Sequence, residues 1–140
     1  MSFLVDANII VYAQLAGPHR EACLGLLEAV ASGASDGRTS AAVLEEVWHL
    51  ELSGKVGDIR GLTERAYTIF APLVAVSDEA FRIAMSLDAP TLGAADRLHA
   101  GTCRAHGLEA IASADADFDA LGWLRRIDPS DRRAWQTLLR

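Results

Sequence analysis

Four carboxylates of this chain are placed where folding could bring them together. Asp6 directly follows the apolar run of residues 3–5, and Asp115 follows a second short apolar run at residues 110–112. Both runs are predicted strands, and acids that follow parallel strands lie at the same edge of a sheet, where ligands gather. One acid after a strand is more commonly a helix cap, so the inference depends on the two acids together.

Glu46 is the third acid, and a helical wheel indicates its position. A helix is predicted over residues 41–52, and its apolar stripe consists of Val43, Leu44, Val47, Trp48 and Leu50. Glu46 borders this stripe and can reach a cleft, whereas Glu45 and His49 are expected on the side that faces water. The alternative, which the sequence leaves open, is a surface carboxylate whose aliphatic stem covers apolar neighbours.

Asp96, the fourth acid, lies in the first turn of a helix predicted over residues 93–106. It shares one helix face with His99, Ala100 and Cys103, where it is the acidic exception among mostly small residues. The alternative interpretation is that Asp96 only compensates the helix dipole. His99 is expected to be a core or supporting histidine rather than a metal ligand.

Four carboxylates in one pocket would repel one another and raise each other's pKa values. A hard divalent cation offsets that repulsion, and ligands that are all oxygen favour Mg²⁺ or Mn²⁺ over zinc. Such an ion lowers the pKa of bound water, orients it in line with a phosphodiester and stabilises charge on the leaving oxygen. The sequence therefore predicts a metal-dependent enzyme that cleaves phosphodiester bonds, with Asp6, Glu46, Asp96 and Asp115 as its catalytic residues.

The elements that position these acids alternate between strands and helices, which predicts crossover connections and a mostly parallel sheet. β-Branched residues 9–11 also suit a strand, but a cap at Asp6 or Asn8 and a stop at residues 17–18 favour a helix. The predicted strands cover residues 3–5, 38–39, 73–76, 110–112 and 123–127. The predicted helices cover residues 8–16, 19–32, 41–52, a segment ending near 70, a segment from 77 to about 88, and 93–106. We expect one domain over residues 1–140, an α/β protein with a three-layer α/β/α sandwich.

The composition is that of an ordinary globular protein, with 51% hydrophobic and 23% charged residues. No signal peptide or membrane span is predicted, so a cytoplasmic location without a membrane partner is expected. Cys23 and Cys103 are expected to be small buried hydrophobes in a reducing compartment. The net charge of −6 argues against coating nucleic acid by electrostatics alone. RNA is not excluded, because cations held by the acids would reverse the local field.

The chain lacks residues that competing folds require. A response-regulator receiver needs a lysine after a late strand, but Lys55 is the only lysine and lies in mid-chain. A haloacid-dehalogenase-type phosphatase needs an acid two residues after the first, where this chain has Asn8. Neither a GxGxxG nor a GxxxxGK[ST] motif occurs, which argues against Rossmann and P-loop proteins.

Taken in order, the acidic segments resemble the motifs of PIN-domain nucleases over essentially the whole chain. All five motifs are found: the opening hydrophobic-Asp-x-Asn pattern, the second motif with Glu46, the third with Asp96 at the start of a helix, the closing acidic segment and the usual ending. They are residues 3–10 (FLVDANII), 39–47 (TSAAVLEEV), 92–100 (LGAADRLHA), 111–118 (IASADADF) and 127–129 (IDP). The short single-domain form resembles the VapC toxins of bacterial and archaeal toxin–antitoxin pairs.

That resemblance implies an endoribonuclease dependent on Mg²⁺ or Mn²⁺, often a homodimer, which a VapB-type antitoxin holds inactive. Asp6 and Asp96 would be the principal metal ligands, and Glu46 and Asp115 would complete the acidic site. The resemblance further implies supporting hydrogen bonds from Asn8 and Ser113, and Asp117 as a substitute for Asp115. Many relatives carry Thr or Ser after the first acid, and the Ala7 of this chain removes that hydroxyl.

Two questions stay open at the level of sequence. A non-catalytic or antitoxin-silenced module that binds RNA or protein on the same scaffold is the alternative function. Apolar residues of the helices over 19–32 and 62–70 could form a groove for an antitoxin helix, although core packing also explains them. The RNA target cannot be read, because base-reading groups have no recognisable code here.

Overall fold

A four-stranded parallel sheet forms the centre of the computed structural model, which describes residues 1–139. The strands are β1 (Ser2–Val5), β2 (Asp36–Arg38), β3 (Ala110–Ala112) and β4 (Arg125–Ile127), in the order β2-β1-β3-β4. Phe3 pairs with Gly37 on one side of β1, and Leu4 pairs with Ile111 on the other. The predicted three-layer α/β/α class is confirmed, and within residues 1–139 all the strand pairs are parallel.

Seven α-helices of residues 1–139 connect and flank these strands. They are α1 (Ala7–Tyr12), α2 (Arg20–Ala31), α3 (Ala41–Ser53), α4 (Leu62–Phe70), α5 (Asp78–Ser86), α6 (Ala94–Ala105) and α7 (Arg132–Gln136). A 3₁₀ helix at Ala116–Ala120 follows β3. Serine side chains begin two of the helices: Ser40 accepts a hydrogen bond from the Val43 N–H, and Ser77 accepts one from the Ala80 N–H.

The core is built on β1, whose residues Phe3, Leu4 and Val5 are fully buried. A strand covered on both faces shows a continuous apolar run rather than alternation, as this one does. Ile111 of β3 and Ile127 of β4 are equally buried, so the sheet centre is apolar throughout. Charged side chains with access to solvent within the strands, such as Asp36 and Arg125, lie on the edge strands β2 and β4.

The predicted strand over residues 73–76 is wrong. Val74 forms a single bridge with Ser40, and its N–H donates to the Thr39 carbonyl. The neighbouring residues 73, 75 and 76 are partly or fully exposed. Its pairing ends where Ser77 begins α5.

Several further boundaries differ from the sequence prediction, including those of β2, α1 and β4. Strand β2 begins at Asp36 rather than at residue 38, because Asp36 and Gly37 already pair with β1. Gly37 lies close to the core there, and an added Cβ would lie 2.7 Å from the Val30 side chain. Helix α1 ends at Tyr12 instead of residue 16, and Ala13–Leu15 continue as hydrogen-bonded turns. Strand β4 begins at Arg125 instead of residue 123. The 3₁₀ helix and α7 were not predicted.

Trp48 also departs from the helical wheel, since 55% of its surface is exposed. It lines a groove between α3 and α4 of about 560 Å³ together with Tyr67 and Leu73. The other residues assigned to the apolar stripe are buried or half-buried, and Glu45 and His49 are exposed as expected. Among residues 1–139, no helix combines the length and apolar character that crossing a bilayer requires.

Helices α5 and α6 touch through small residues. A Cβ added at Gly101 would overlap the Ala80 carbonyl oxygen and lie 3.0 Å from the Ala84 backbone nitrogen. Both obstacles are helix backbone, which cannot rotate away as a side chain can. Gly101 therefore sets the distance between these two helices.

We expect Gly101→Ala to lower the free energy of unfolding by about 1–3 kcal/mol, because overpacking forces α5 and α6 apart. Urea denaturation followed by tryptophan fluorescence measures this change. Gly25→Ala is the matched control, since Gly25 is exposed on α2 and an added Cβ meets no atom of residues 1–139 within 4 Å. The control should stabilise the protein by about 0.5–1 kcal/mol. Equal stability of Gly101→Ala and the wild type would contradict this account of the packing.

Candidate metal centre

Asp6 lies directly beyond β1 and is 97% buried, with 3% of its surface exposed. Its N–H continues the strand ladder by donating to the Ala112 carbonyl, and its carboxylate caps α1 by accepting from the Ala7 N–H at 2.8 Å. The strand end and the helix start therefore fix the position of this carboxylate together. Burial raises the pKa of Asp6, although nearby hydrogen bonds and His99 oppose that effect.

Asn8 and Ser113 hold the second oxygen of the Asp6 carboxylate. The Ser113 hydroxyl donates to Asp6 Oδ2 at 2.7 Å, and the Asn8 amide donates to the same oxygen at 3.2 Å. Asn8 also donates to the Ser113 hydroxyl at 3.1 Å, and its carbonyl accepts from the Ala114 N–H. The network joins the end of β1 to the end of β3, so it ties together segments more than 100 residues apart in the chain.

Asp115 lies on the turn that follows Ser113. Its N–H donates to the Ser113 hydroxyl at 3.0 Å, and its Oδ1 accepts from the Asp117 N–H at 2.9 Å. Asp115 is half-buried at the start of the 3₁₀ helix, whereas the Asp117 side chain is exposed. Asp117 thus contributes its backbone to the turn, and its role as a substitute for Asp115 stays a prediction.

Arg126 supports this turn from the neighbouring strand β4, and sequence reasoning missed it. Its guanidinium is largely buried, donates to the Ser113 carbonyl and forms ion pairs with Asp119 and Asp128. Alternation along a strand could have suggested that one arginine of β4 points inward. No sequence signal, however, identifies its three acceptors.

Glu46 and His99 complete the other side of the pocket. His99 Nε2 lies 2.8 Å from Glu46 Oε1 and 3.8 Å from Asp6 Oδ1. Burial alone would lower the pKa of His99, but the hydrogen bond to Glu46 and the surrounding carboxylates raise it above its usual value. The sequence expectation placed His99 in the core or in a supporting position, and the structure places it at the centre of the acidic group.

Asp96, in the first turn of α6, is a second carboxyl whose pKa is raised. Burial is the main cause, and the charge of Asp6 and a hydrogen bond with Asp115 add to it, so that the pKa of Asp96 rises to about 7. Such a shift means that a proton or a cation is needed to balance the acids. The structure therefore places Asp96 close to Asp6 and Asp115, and Glu46 close to Asp6.

The donor set fits a divalent cation. Asp6, Glu46 and His99 each offer one ligand atom, and these atoms all lie within 4.8 Å of one another. Asp96 and Asp115 add negative charge beside Asp6. Closely spaced carboxylates that no lysine or arginine among residues 1–139 balances by an ion pair are typical of a site for a hard cation.

Comparison with known proteins identifies the family. The sequence pattern of the PIN domain matches residues 3–124, which is most of the chain. The chain belongs to the PIN domain family. A curated relative of this PIN-domain protein, the ribonuclease VapC13 of Mycobacterium tuberculosis, is 30% identical over 134 residues, covering 89% of this chain and 98% of the relative.

Solved structures support the PIN fold independently. The VapBC2 complex of Rickettsia felis, bound to a DNA fragment from its promoter, contains a chain that superposes with a TM-score of 0.67 at 19% identity, covering 91% of this chain and 98% of that one. The VapC20 toxin of Mycobacterium tuberculosis, described as cleaving the sarcin-ricin loop, superposes with a TM-score of 0.63 at 21% identity, covering 86% and 95%. At these identities the superpositions establish the fold alone.

We expect the metal-free protein to lose stability as the pH rises from about 4 to about 7. The Asp96 carboxyl has a pKa of about 7 in the folded protein and an ordinary value of 3.8 when unfolded. Between these values the folded state binds more protons than the unfolded state, so the free energy of unfolding falls with increasing pH.

Urea denaturation in EDTA across this range measures the slope. Asp96→Asn should flatten it, whereas Glu45→Gln, which changes an exposed acid of α3, should leave it as in the wild type. A free energy of unfolding that rises over the same range in the wild type would show that the acidic group is not strained by charge.

Proposed function

We propose that this PIN-domain protein is a metal-dependent endoribonuclease and the toxin of a toxin–antitoxin pair. The observation that carries the proposal is the convergence of Asp6, Glu46, Asp96 and Asp115 at one edge of the sheet. The homology to VapC ribonucleases over nearly the full length of both chains supports RNA as the substrate class. We further propose a cytoplasmic site of action, where RNA is available.

Mg²⁺ or Mn²⁺ is the proposed cofactor, with Asp6 and Asp96 as principal ligands and Glu46 and Asp115 completing the site. When bound, the ion lowers the pKa of water and balances charge on the scissile phosphate. Oxygen-rich sites favour these two hard ions over softer metals. The protein without metal would repel RNA at this edge, because the four carboxylates lie where the phosphate must approach.

The side chains of this site contribute mainly positioning. Asp6 accepts bonds from Ala7, Asn8 and Ser113, so its carboxylate is already oriented before a cation arrives. Arg126 fixes the turn that carries Asp115 by donating to the Ser113 carbonyl. Ligands that are held in place lose little conformational freedom on binding, which favours both affinity and correct geometry.

The antitoxin is proposed to bind a groove between α1, α2 and α4. This groove has a volume of about 230 Å³ and is lined mainly by apolar side chains, with Leu24 on α2 and Ile69 on α4 among them. An amphipathic helix laid into an apolar groove is a common mode of recognition. For homodimer formation we propose α5, which exposes Phe81 and Met85.

We expect the purified protein to cleave a circular single-stranded RNA in Mg²⁺ or Mn²⁺ and not in EDTA. A circular substrate has no ends, so only an endonuclease can open it. Asp6→Asn and Glu46→Gln should reduce cleavage to the background level, because each removes a charge that the cation requires. Electrophoresis of the products measures the effect.

Glu45→Gln is the matched control, since it changes the adjacent, exposed glutamate of the same helix and should retain cleavage. Cleavage that persists unchanged in Asp6→Asn would reveal a contaminating nuclease. Absence of metal-dependent cleavage in the wild type would favour the non-catalytic binding module instead.

Co-expression with the small open reading frame that neighbours its gene should give a stable complex in which RNA cleavage is inhibited. Leu24→Glu should abolish co-purification, because it places a charge in the apolar groove, while cleavage by the free variant is retained. Leu52→Glu is the control, since Leu52 lies on α3 outside this groove and is 75% exposed. If no product of that reading frame binds, the toxin assignment fails while the nuclease assignment is unaffected.

A further inference from the structure

The four acids of the proposed site do not explain why His99 lies among them. It lies in the middle of α6 and is fully buried. Nε2 lies 2.8 Å from Glu46 Oε1, while Nδ1 is buried and, within residues 1–139, has no hydrogen-bond partner. One ring nitrogen thus faces the acidic pocket, and the other is enclosed by the protein without a partner among these residues.

This arrangement determines which nitrogen carries the hydrogen that faces Glu46. A carboxylate oxygen only accepts hydrogen bonds, so a bond of 2.8 Å requires a hydrogen on Nε2. The opposite tautomer would direct a lone pair at the carboxylate and bury an unpaired N–H at Nδ1, so neither ring nitrogen would form a hydrogen bond. Nε2 is therefore the donor, whether or not the ring carries a second proton.

The same geometry distinguishes a supporting role from metal ligation. A histidine that binds a metal through Nε2 must use the lone pair of that atom, and its Nδ1–H almost always donates to a carboxylate, a carbonyl or water. No such acceptor contacts His99 Nδ1 in the part of the chain that the structure describes. His99 lacks the second hydrogen bond that a ligating imidazole needs.

We propose that His99 is a positioning residue, which donates from Nε2 to Glu46, turns that carboxylate toward Asp6 and leaves a metal site of oxygen ligands only. This inference rests on the metal site of the proposed function and adds a role that the acids do not define. It also bears on the ion, because an imidazole ligand would shift the preference toward zinc and other borderline metals.

Glu46 needs such an anchor more than Asp6 does. It comes from α3, on a different element from Asp6 and Asp96, and its side chain is 32% exposed, against 4% for Asp6. A glutamate side chain has several rotatable bonds, and holding it in one conformation costs entropy. Without a donor at this position, the Glu46 carboxylate would turn toward solvent, away from Asp6.

The test compares His99→Gln with His99→Leu. Glutamine carries an N–H at nearly the position of imidazole Nε2, whereas leucine fills a similar volume without a donor. Binding of Mn²⁺, followed by isothermal titration calorimetry, should be weakened by about 10- to 100-fold in His99→Leu, as for other groups that orient metal ligands. His99→Gln should restore most of the affinity. Thermal denaturation in EDTA checks that both variants fold.

Electron spin-echo spectroscopy of the Mn²⁺-bound wild type supplies the second measurement. It detects a nitrogen directly bonded to manganese, and the proposal predicts no such coupling. A directly coordinated ¹⁴N signal that disappears in His99→Gln would overturn it, and so would a His99→Leu variant that folds and binds Mn²⁺ as tightly as the wild type.

Coupling with Glu46 provides an independent check. Once Glu46→Gln has removed the carboxylate, adding His99→Leu should weaken Mn²⁺ binding little further, because the two residues act as a unit. Additive losses would overturn the inference.

If the wild type does not bind Mn²⁺, the metal site itself fails and this inference fails with it. Binding by the wild type with no effect of His99→Leu refutes only the role of His99.

Discussion

Burial of the Asp6 carboxylate at the end of the central strand is the constraint on which the site depends. Burying a charge is costly unless hydrogen bonds or an opposite charge compensate for it. Here Ala7, Asn8 and Ser113 donate to the carboxylate, and His99 lies beyond them at 3.8 Å. Each donor comes from an element that has to be in its final place. The compensation of one charge thus fixes β1, α1, β3 and α6 relative to one another.

Hydrogen bonds do not offset the free-energy cost of burying the other acids of the site next to one another. The pKa of Asp96 is raised mainly by burial and further by its neighbours Asp6 and Asp115, and no lysine or arginine among the described residues is paired with it. The unbalanced acids lower the stability of the protein and favour the binding of a cation. Functional sites commonly hold such strain, and the surrounding fold maintains it.

Much of this arrangement could be predicted from the chain. Asp6 and Asp115 follow apolar runs that could only be buried strands, and the position of Glu46 beside Val43 and Val47 follows from helical periodicity. The starts of α3 and α5 were predicted to within one residue. The family resemblance then correctly ordered the motifs along the whole chain.

Other features depend on contacts that no local pattern contains. The start of β2 was missed because Asp36 and Gly37 have low strand propensity, and only pairing with β1 makes them a strand. The opposite error occurred at residues 73–76, where β-branched composition had no neighbouring strand to pair with. Trp48 was assigned to the core because periodicity cannot tell a buried face from a groove. The donors His99 and Arg126 likewise reveal their partners only in three dimensions.

The hydrogen bond from Ser113 to Asp6 has a consequence for biosynthesis. It joins residues separated by 107 positions in the chain, so the acidic pocket cannot assemble before residue 113 has left the ribosome. Domains tend to fold as units during translation, and this domain needs a segment that follows Asp6 by more than 100 residues. A nascent chain that stops short of this segment therefore carries no complete cation site.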